Sequence, residues 1–101
     1  MHQEVKSAAE FDAAIREGDV LVDFWATWCG PCQMMGQTIA AEIEPTMPGL
    51  KVVKVNVDEA PELAVKFCVM SIPALFCYKE GQQVASFVGV TSAAEILGAY
   101  K

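Results

Sequence analysis

The chain has 101 residues, 53 % of them apolar, enough to bury a core within a single domain spanning 1–101. That composition excludes a disordered chain, and four cysteines fall short of the density of a disulfide framework. Seven basic residues against thirteen acidic ones leave a formal charge of −6, a poor electrostatic match for nucleic acid or an anionic membrane.

The first ten residues contain no apolar run, so they do not read as a secretory leader. A cytoplasmic location is expected on that ground, where thiols are kept reduced. A short strand is expected around Gln3 to Lys6. Ser7-Ala-Ala-Glu10 then has the form of a capping box, and Phe11 and Ile15 repeat at i, i+4, which predicts a helix from Ser7 to about Glu17 stopped by Gly18. Val20 to Trp25 is almost continuously apolar and rich in β-branched and aromatic residues, the pattern of a strand buried on both faces. A helix is expected to begin near Pro31, with Met35, Ile39, Ile43 and Met47 on one face and Pro45 and Pro48-Gly49 closing it.

Lys51 to Val57 alternates as a second buried strand. Pro61, Leu63 and Phe67 mark a short helix after it. Ala74–Tyr78 and Val84–Val88 form a hairpin through Lys79-Glu80-Gly81-Gln82, and a second capping box, Ser92 to Glu95, opens a helix carrying Ile96, Leu97 and Tyr100. Strand–helix–strand order implies a right-handed parallel crossover, with the hairpin adding an antiparallel edge.

Cys29-Gly30-Pro31-Cys32 falls where a buried strand hands over to a helix. Two residues three apart in a first helical turn share a face, close enough for a disulfide. Cys29 meets the unpaired N–H groups and the positive end of the helix dipole, which favours its thiolate. Pro31 costs nothing there, because its missing N–H would have no intrahelical partner. Cys32, one turn in, is expected to be the shielded thiol and Cys29 the exposed one. A zinc site would need a second tight knuckle, and Cys68 and Cys77 do not supply it, so no metal is expected. Both are read as structural, and His2 as non-catalytic. Asp23, in an apolar run, is either an edge carboxylate facing water or a buried one. Apolar neighbours on both sides favour burial, which raises a carboxyl pKa toward the range useful for proton transfer.

Val22-Asp23-Phe24-Trp25-Ala26-Thr27-Trp28-Cys29-Gly30-Pro31-Cys32 closely resembles the active-site segment of thioredoxins. The resemblance continues through Val55-Asn56-Val57-Asp58, Ser71-Ile72-Pro73-Ala74-Leu75, Lys79-Glu80-Gly81 and Val88-Gly89. It implies an α/β three-layer sandwich, a mixed five-stranded sheet flanked by four helices. It implies a thiol–disulfide oxidoreductase that reduces protein disulfides, with Cys29 as nucleophile, Cys32 as resolving thiol and Asp23 as the buried carboxylate beneath it. Lys54 matches a lysine near that carboxylate, Gly30 and Pro31 complete the motif, and Pro73 matches a proline in cis geometry facing the pair. Ile72 lends backbone groups to an extended substrate, and Trp28, Val88 and Gly89 match the rim of the docking groove. The implied partners are a flavin-dependent thioredoxin reductase and disulfide-containing proteins; the chain is expected to be monomeric, with no cofactor beyond its own disulfide. An interaction module of the same fold would not demand the intact set of CGPC, Asp23 and Pro73, and Gly30-Pro31 argues against an oxidase or isomerase. Gln33, Gln37 and Met70-Ser71 depart from the family pattern. Without a proline at 37, the second helix is expected to keep its hydrogen bond there.

Overall fold

A computed structural model describes residues 2–101. In chain order it contains β1 (His2–Glu4), α1 (Ala8–Ile15), β2 (Asp19–Trp25), α2 (Gly30–Thr38), a π-helical segment (Ile39–Ile43), β3 (Lys51–Asn56), α3 (Pro61–Lys66), β4 (Ala74–Lys79), β5 (Gln82–Val88) and α4 (Ala93–Gly98). The strands form one mixed sheet in the order β1-β3-β2-β4-β5. β3 runs parallel to β1 and β2, and β4 antiparallel to β2 and β5.

Because side chains alternate across a strand, the near-continuous apolar run of β2 serves two cores. Val20, Val22 and Phe24 face one way, packing with Phe11 and Ala14 of α1, Leu63 of α3, and Val53 and Val55 of β3. Leu21 faces the other way, toward Met35, Ile39 and Ile43 and toward Ile96 of α4, with Val52, Leu75 and Cys77 from the neighbouring strands. Asp23 shares the parity of Leu21, so it lies on the face that α2 and α4 cover. It is fully buried, which settles the alternative left open by the sequence.

Ser7 caps α1, its side-chain oxygen accepting from the Glu10 N–H at 3.2 Å, and Ser92 and Glu95 form a reciprocal capping box at α4. The strand expected at Gln3 to Lys6 lies slightly earlier, at His2–Glu4, although the Val5 N–H still donates to the Lys54 carbonyl at 3.0 Å. At the hairpin, Glu80 (φ 50) and Gly81 (φ 82) both occupy the left-handed region, as a two-residue turn of the I′ kind requires.

The second helix differs from a uniform α-helix. It is unbroken at Gln37, and the Ile39 N–H reaches the carbonyls of Met35 and Gly36. It then widens, with the Glu44 N–H donating five residues back to Ile39 at 2.9 Å. Residues spaced by four drift by about 40° per step on a regular α-helix. The wider turn absorbs that drift, and Met35, Ile39 and Ile43 all reach the sheet.

Candidate functional site

The end of β2 and the start of α2 place the cysteine pair. Cys29 is the N-cap residue of α2 in extended conformation (φ −94, ψ 106), and Pro31 stands in the first helical turn where no N–H is missed. Cys29 and Cys32 are joined by a disulfide, their Cα atoms 5.3 Å apart. The Cys32 N–H donates to Cys29 Sγ at 3.2 Å, so the sulfur at the N-cap receives one of the unpaired donors of the helix start.

The expected contrast in exposure is not found. Cys29 is 5 % accessible and Cys32 4 %. With the disulfide closed, both sulfurs sit in one small apolar cluster with Ala26, walled by Trp25, Val57 and Ile72. What separates the two cysteines is the N-cap hydrogen bond, not access.

Opposite the pair, the Ile72–Pro73 peptide bond is cis and the Ile72 carbonyl oxygen lies 3.9 Å from Cys29 Sγ. The Gly89 N–H donates to the Pro73 carbonyl at 2.8 Å, tying the end of β5 to this loop. Gly89 does so at φ 86, a conformation that side chains rarely adopt. Trp28, next to Cys29 in the chain, is 69 % accessible, and Met34, Met70 and Val88 (70 %) are exposed apolar side chains as well. Gln33, after the second cysteine, brings no charge, and its amide donates to the Thr27 carbonyl at 3.3 Å.

The Asp23 carboxylate is buried on the sheet face that α2 covers. Neither of its oxygens has a hydrogen-bond partner among the described residues, and the nearest cation is Lys54, whose Nζ lies 3.6 Å from Oδ2. Burial raises the Asp23 carboxyl to about 6, against the pull of Lys54 in the other direction. The Lys54 ammonium also lies 5.3 Å from the centre of the Trp25 ring. It sits under α2, where a Cβ on Gly36 would stand 3.8 Å from Nζ.

Asp58 escaped the sequence reading as a site residue. Its Oδ2 accepts the Trp28 indole N–H at 2.8 Å, and its own N–H donates to the Asn56 side chain at 2.9 Å. Asp58 lies within the resembling segment Val55-Asn56-Val57-Asp58, but an Asn two residues before an Asp at a strand end reads locally as a common turn pattern. Cys77 is buried in β4, where burial raises its thiol pKa and Tyr100 is a hydrogen-bond neighbour. Cys68 is exposed past the end of α3, at φ 56. Among the described residues no cluster of His, Cys, Asp and Glu could hold a metal ion, and no helix is long and apolar enough to cross a membrane.

The chain is similar in sequence and fold to known proteins. The family model for thioredoxin matches residues 2–101. A thioredoxin of Listeria monocytogenes is 47 % identical over 81 residues, 80 % of this chain and 79 % of that one. A Staphylococcus aureus thioredoxin is 46 % identical over 84 residues, covering 80 % and 78 %. Among solved structures, oxidized mitochondrial thioredoxin 3 of Saccharomyces cerevisiae superposes with a TM-score of 0.86 at 30 % identity, covering 97 % of this chain and 92 % of that one. Plasmodium falciparum thioredoxin gives 0.82 at 34 %, covering 97 % and 96 %. Sequence and fold agree over almost the full length, and the chain belongs to the thioredoxin family of thiol–disulfide oxidoreductases.

Proposed function

We propose that this protein is a dithiol reductant of protein disulfides, working in the cytoplasm as a monomer of one domain, 1–101. The observation that carries the reading is the Cys29–Cys32 disulfide at the start of α2, in a chain that also buries a hydrogen-bond-free carboxylate, Asp23, on the strand leading to it.

In the reduced protein, the Cys29 thiolate attacks one sulfur of a substrate disulfide. A Cys29–substrate disulfide forms, and the other substrate sulfur leaves as a thiolate. Cys32 then gives its proton to Asp23 and attacks Cys29 Sγ. The second substrate sulfur is released, the Cys29–Cys32 bond closes, and two electrons have passed to the substrate. A carboxyl raised to about 6 suits Asp23 to take and return a proton near neutrality, with Lys54 as its neighbouring cation. Gly30 and Pro31 start the helix that holds the pair. Ile72 and the cis Pro73 offer backbone to an extended substrate strand, while Trp28, Val88 and Gly89 form the rim on which it docks. A flavin-dependent thioredoxin reductase returns the electrons, and no cofactor beyond the disulfide takes part.

The test is coupled turnover. Reduced nicotinamide, a thioredoxin reductase and a model disulfide-bonded protein are mixed with this chain or with Cys29→Ser. The wild type should sustain substrate reduction and Cys29→Ser should not. Equal rates with both would remove Cys29 from the reaction.

A further inference from the structure

The strand register sets Glu4 of β1 beside Lys54 of β3, and Lys54 beside Asp23 of β2. Residues paired in register point to the same face of a sheet, and neighbouring strands lie about 4.8 Å apart. The three side chains therefore form a carboxylate–ammonium–carboxylate row under α2, with one cation between two acids. Asp23 is the fully buried inner end, and Glu4 is the outer end, on an exposed edge strand.

The ammonium is not locked onto either acid. Its 3.6 Å from Asp23 Oδ2 exceeds the roughly 2.8 Å of a well-formed charge-assisted hydrogen bond. It lies over the Trp25 ring and in the space left by Gly36, which gives it room to move along the row. Glu4 acts on it from the other side, and the Trp25 indole N–H favours the Glu4 carboxylate without forming a regular hydrogen bond.

We propose that Glu4 is a positioning residue: it shares the Lys54 ammonium with Asp23 and so governs how readily Asp23 takes the proton of Cys32. This rests on the assignment of Asp23 as proton acceptor. An ionised Glu4 holds the cation outward and repels an ionised Asp23, and both effects help Asp23 keep a proton. The charged groups acting on Asp23 are Lys54 and Glu4; those acting on Glu4 are Lys54, Glu59 and Lys6. Over this face α2 presents Met35 and Gly36, and β4 presents Leu75 beside Asp23, none of them charged.

The experiment is titration of the Asp23 carboxyl carbon by NMR in the oxidised protein, for wild type, E4Q, E59Q, K54M and the E4Q/K54M double variant. In E4Q the midpoint should fall from about 6 by about half a pH unit, the size expected of one exposed charge two strands away. E59Q, which loses an acid paired with Lys6 at 3.8 Å, should leave it in place. In the K54M background the step caused by E4Q should shrink to less than half. The resolving step should show the same downward shift of its pH midpoint in E4Q, with attack by Cys29 unaltered. No shift in E4Q, an equal shift in E59Q, or a full-sized step without Lys54 would overturn the proposal. The carboxyl titration needs no substrate. A protein with the expected shifts that reduced no disulfide would refute the reductant reading and leave the coupling of Glu4 to Asp23 standing.

Discussion

The Trp28 indole N–H donates to Asp58 Oδ2 at 2.8 Å, so an exposed aromatic ring beside the dithiol is held by a carboxylate thirty positions further along the chain. A bare loop could not keep such a ring in one orientation. The bond links the residue before Cys29 to the turn after β3, and Asn56 fixes that turn in its own right. Asp58→Ala should leave the fold intact and loosen the ring. The expected loss is about 1 kcal/mol of docking, or about fivefold in kcat/KM for a protein disulfide. Asp58→Asn retains an acceptor and should lose less. Steady-state kinetics of the two variants check this.

Asp23 makes stability depend on pH. Its folded pKa of about 6 lies above the ordinary value of 3.8. For an acid shifted in that direction, stability is highest below the unfolded value and falls as the pH rises through the folded one. The shift is worth about 3 kcal/mol once both states are ionised. Asp23→Asn should therefore be more stable than wild type by about 2–3 kcal/mol at about pH 8, the two converging near about pH 3. Urea melts across that range measure the difference. The variant should also be slow in resolving the mixed disulfide, and not in forming it.

Equal burial of the two sulfurs makes chemical labelling of the reduced protein informative. Only Cys29 receives an N-cap hydrogen bond, from the Cys32 N–H at 3.2 Å, and that donor stabilises a thiolate. Iodoacetamide should modify Cys29 before Cys32, and Cys32→Ser should accumulate a long-lived disulfide between Cys29 and substrate. Faster labelling of Cys32 would reverse the two roles.

Gly36 sits inside α2, where an added Cβ would make only ordinary van der Waals contact, with Lys54 Nζ at 3.8 Å. Gly36→Ala should stabilise the protein by about 0.5–1 kcal/mol, the helix propensity gained without a clash. The urea midpoint should rise at unchanged slope.

Much of this molecule is legible in local sequence. The doubly buried run Val20–Trp25, both capping boxes, the Glu80-Gly81 turn and the placing of Cys29-Gly30-Pro31-Cys32 at a strand–helix junction all follow from short-range patterns, because caps, turns and periodicity are local physics. What stayed hidden depends on tertiary register. The row from Glu4 through Lys54 to Asp23 exists only once β1, β3 and β2 are aligned, and the bond from Trp28 to Asp58 only once two loops meet. The wide turn at Ile39–Ile43 answers to the sheet beneath it, so spacing alone predicted a plain helix. Exposure of Cys29 was inferred from its place at a helix start, and the closed disulfide under Trp25 and Ile72 covers it.

A dithiol that reduces protein disulfides must give up its electrons more readily than glutathione does. Reduction leaves two buried sulfurs in an apolar cluster, where burial opposes an ionised sulfur more than the neutral disulfide, and this favours return to the disulfide. Equilibrating the protein with mixtures of reduced and oxidised glutathione, and measuring the Cys29–Cys32 disulfide in each, tests this directly. The midpoint should be more negative than that of glutathione, so that the reduced protein passes electrons to glutathione disulfide. A midpoint more positive than that of glutathione would make the pair an oxidant and contradict it.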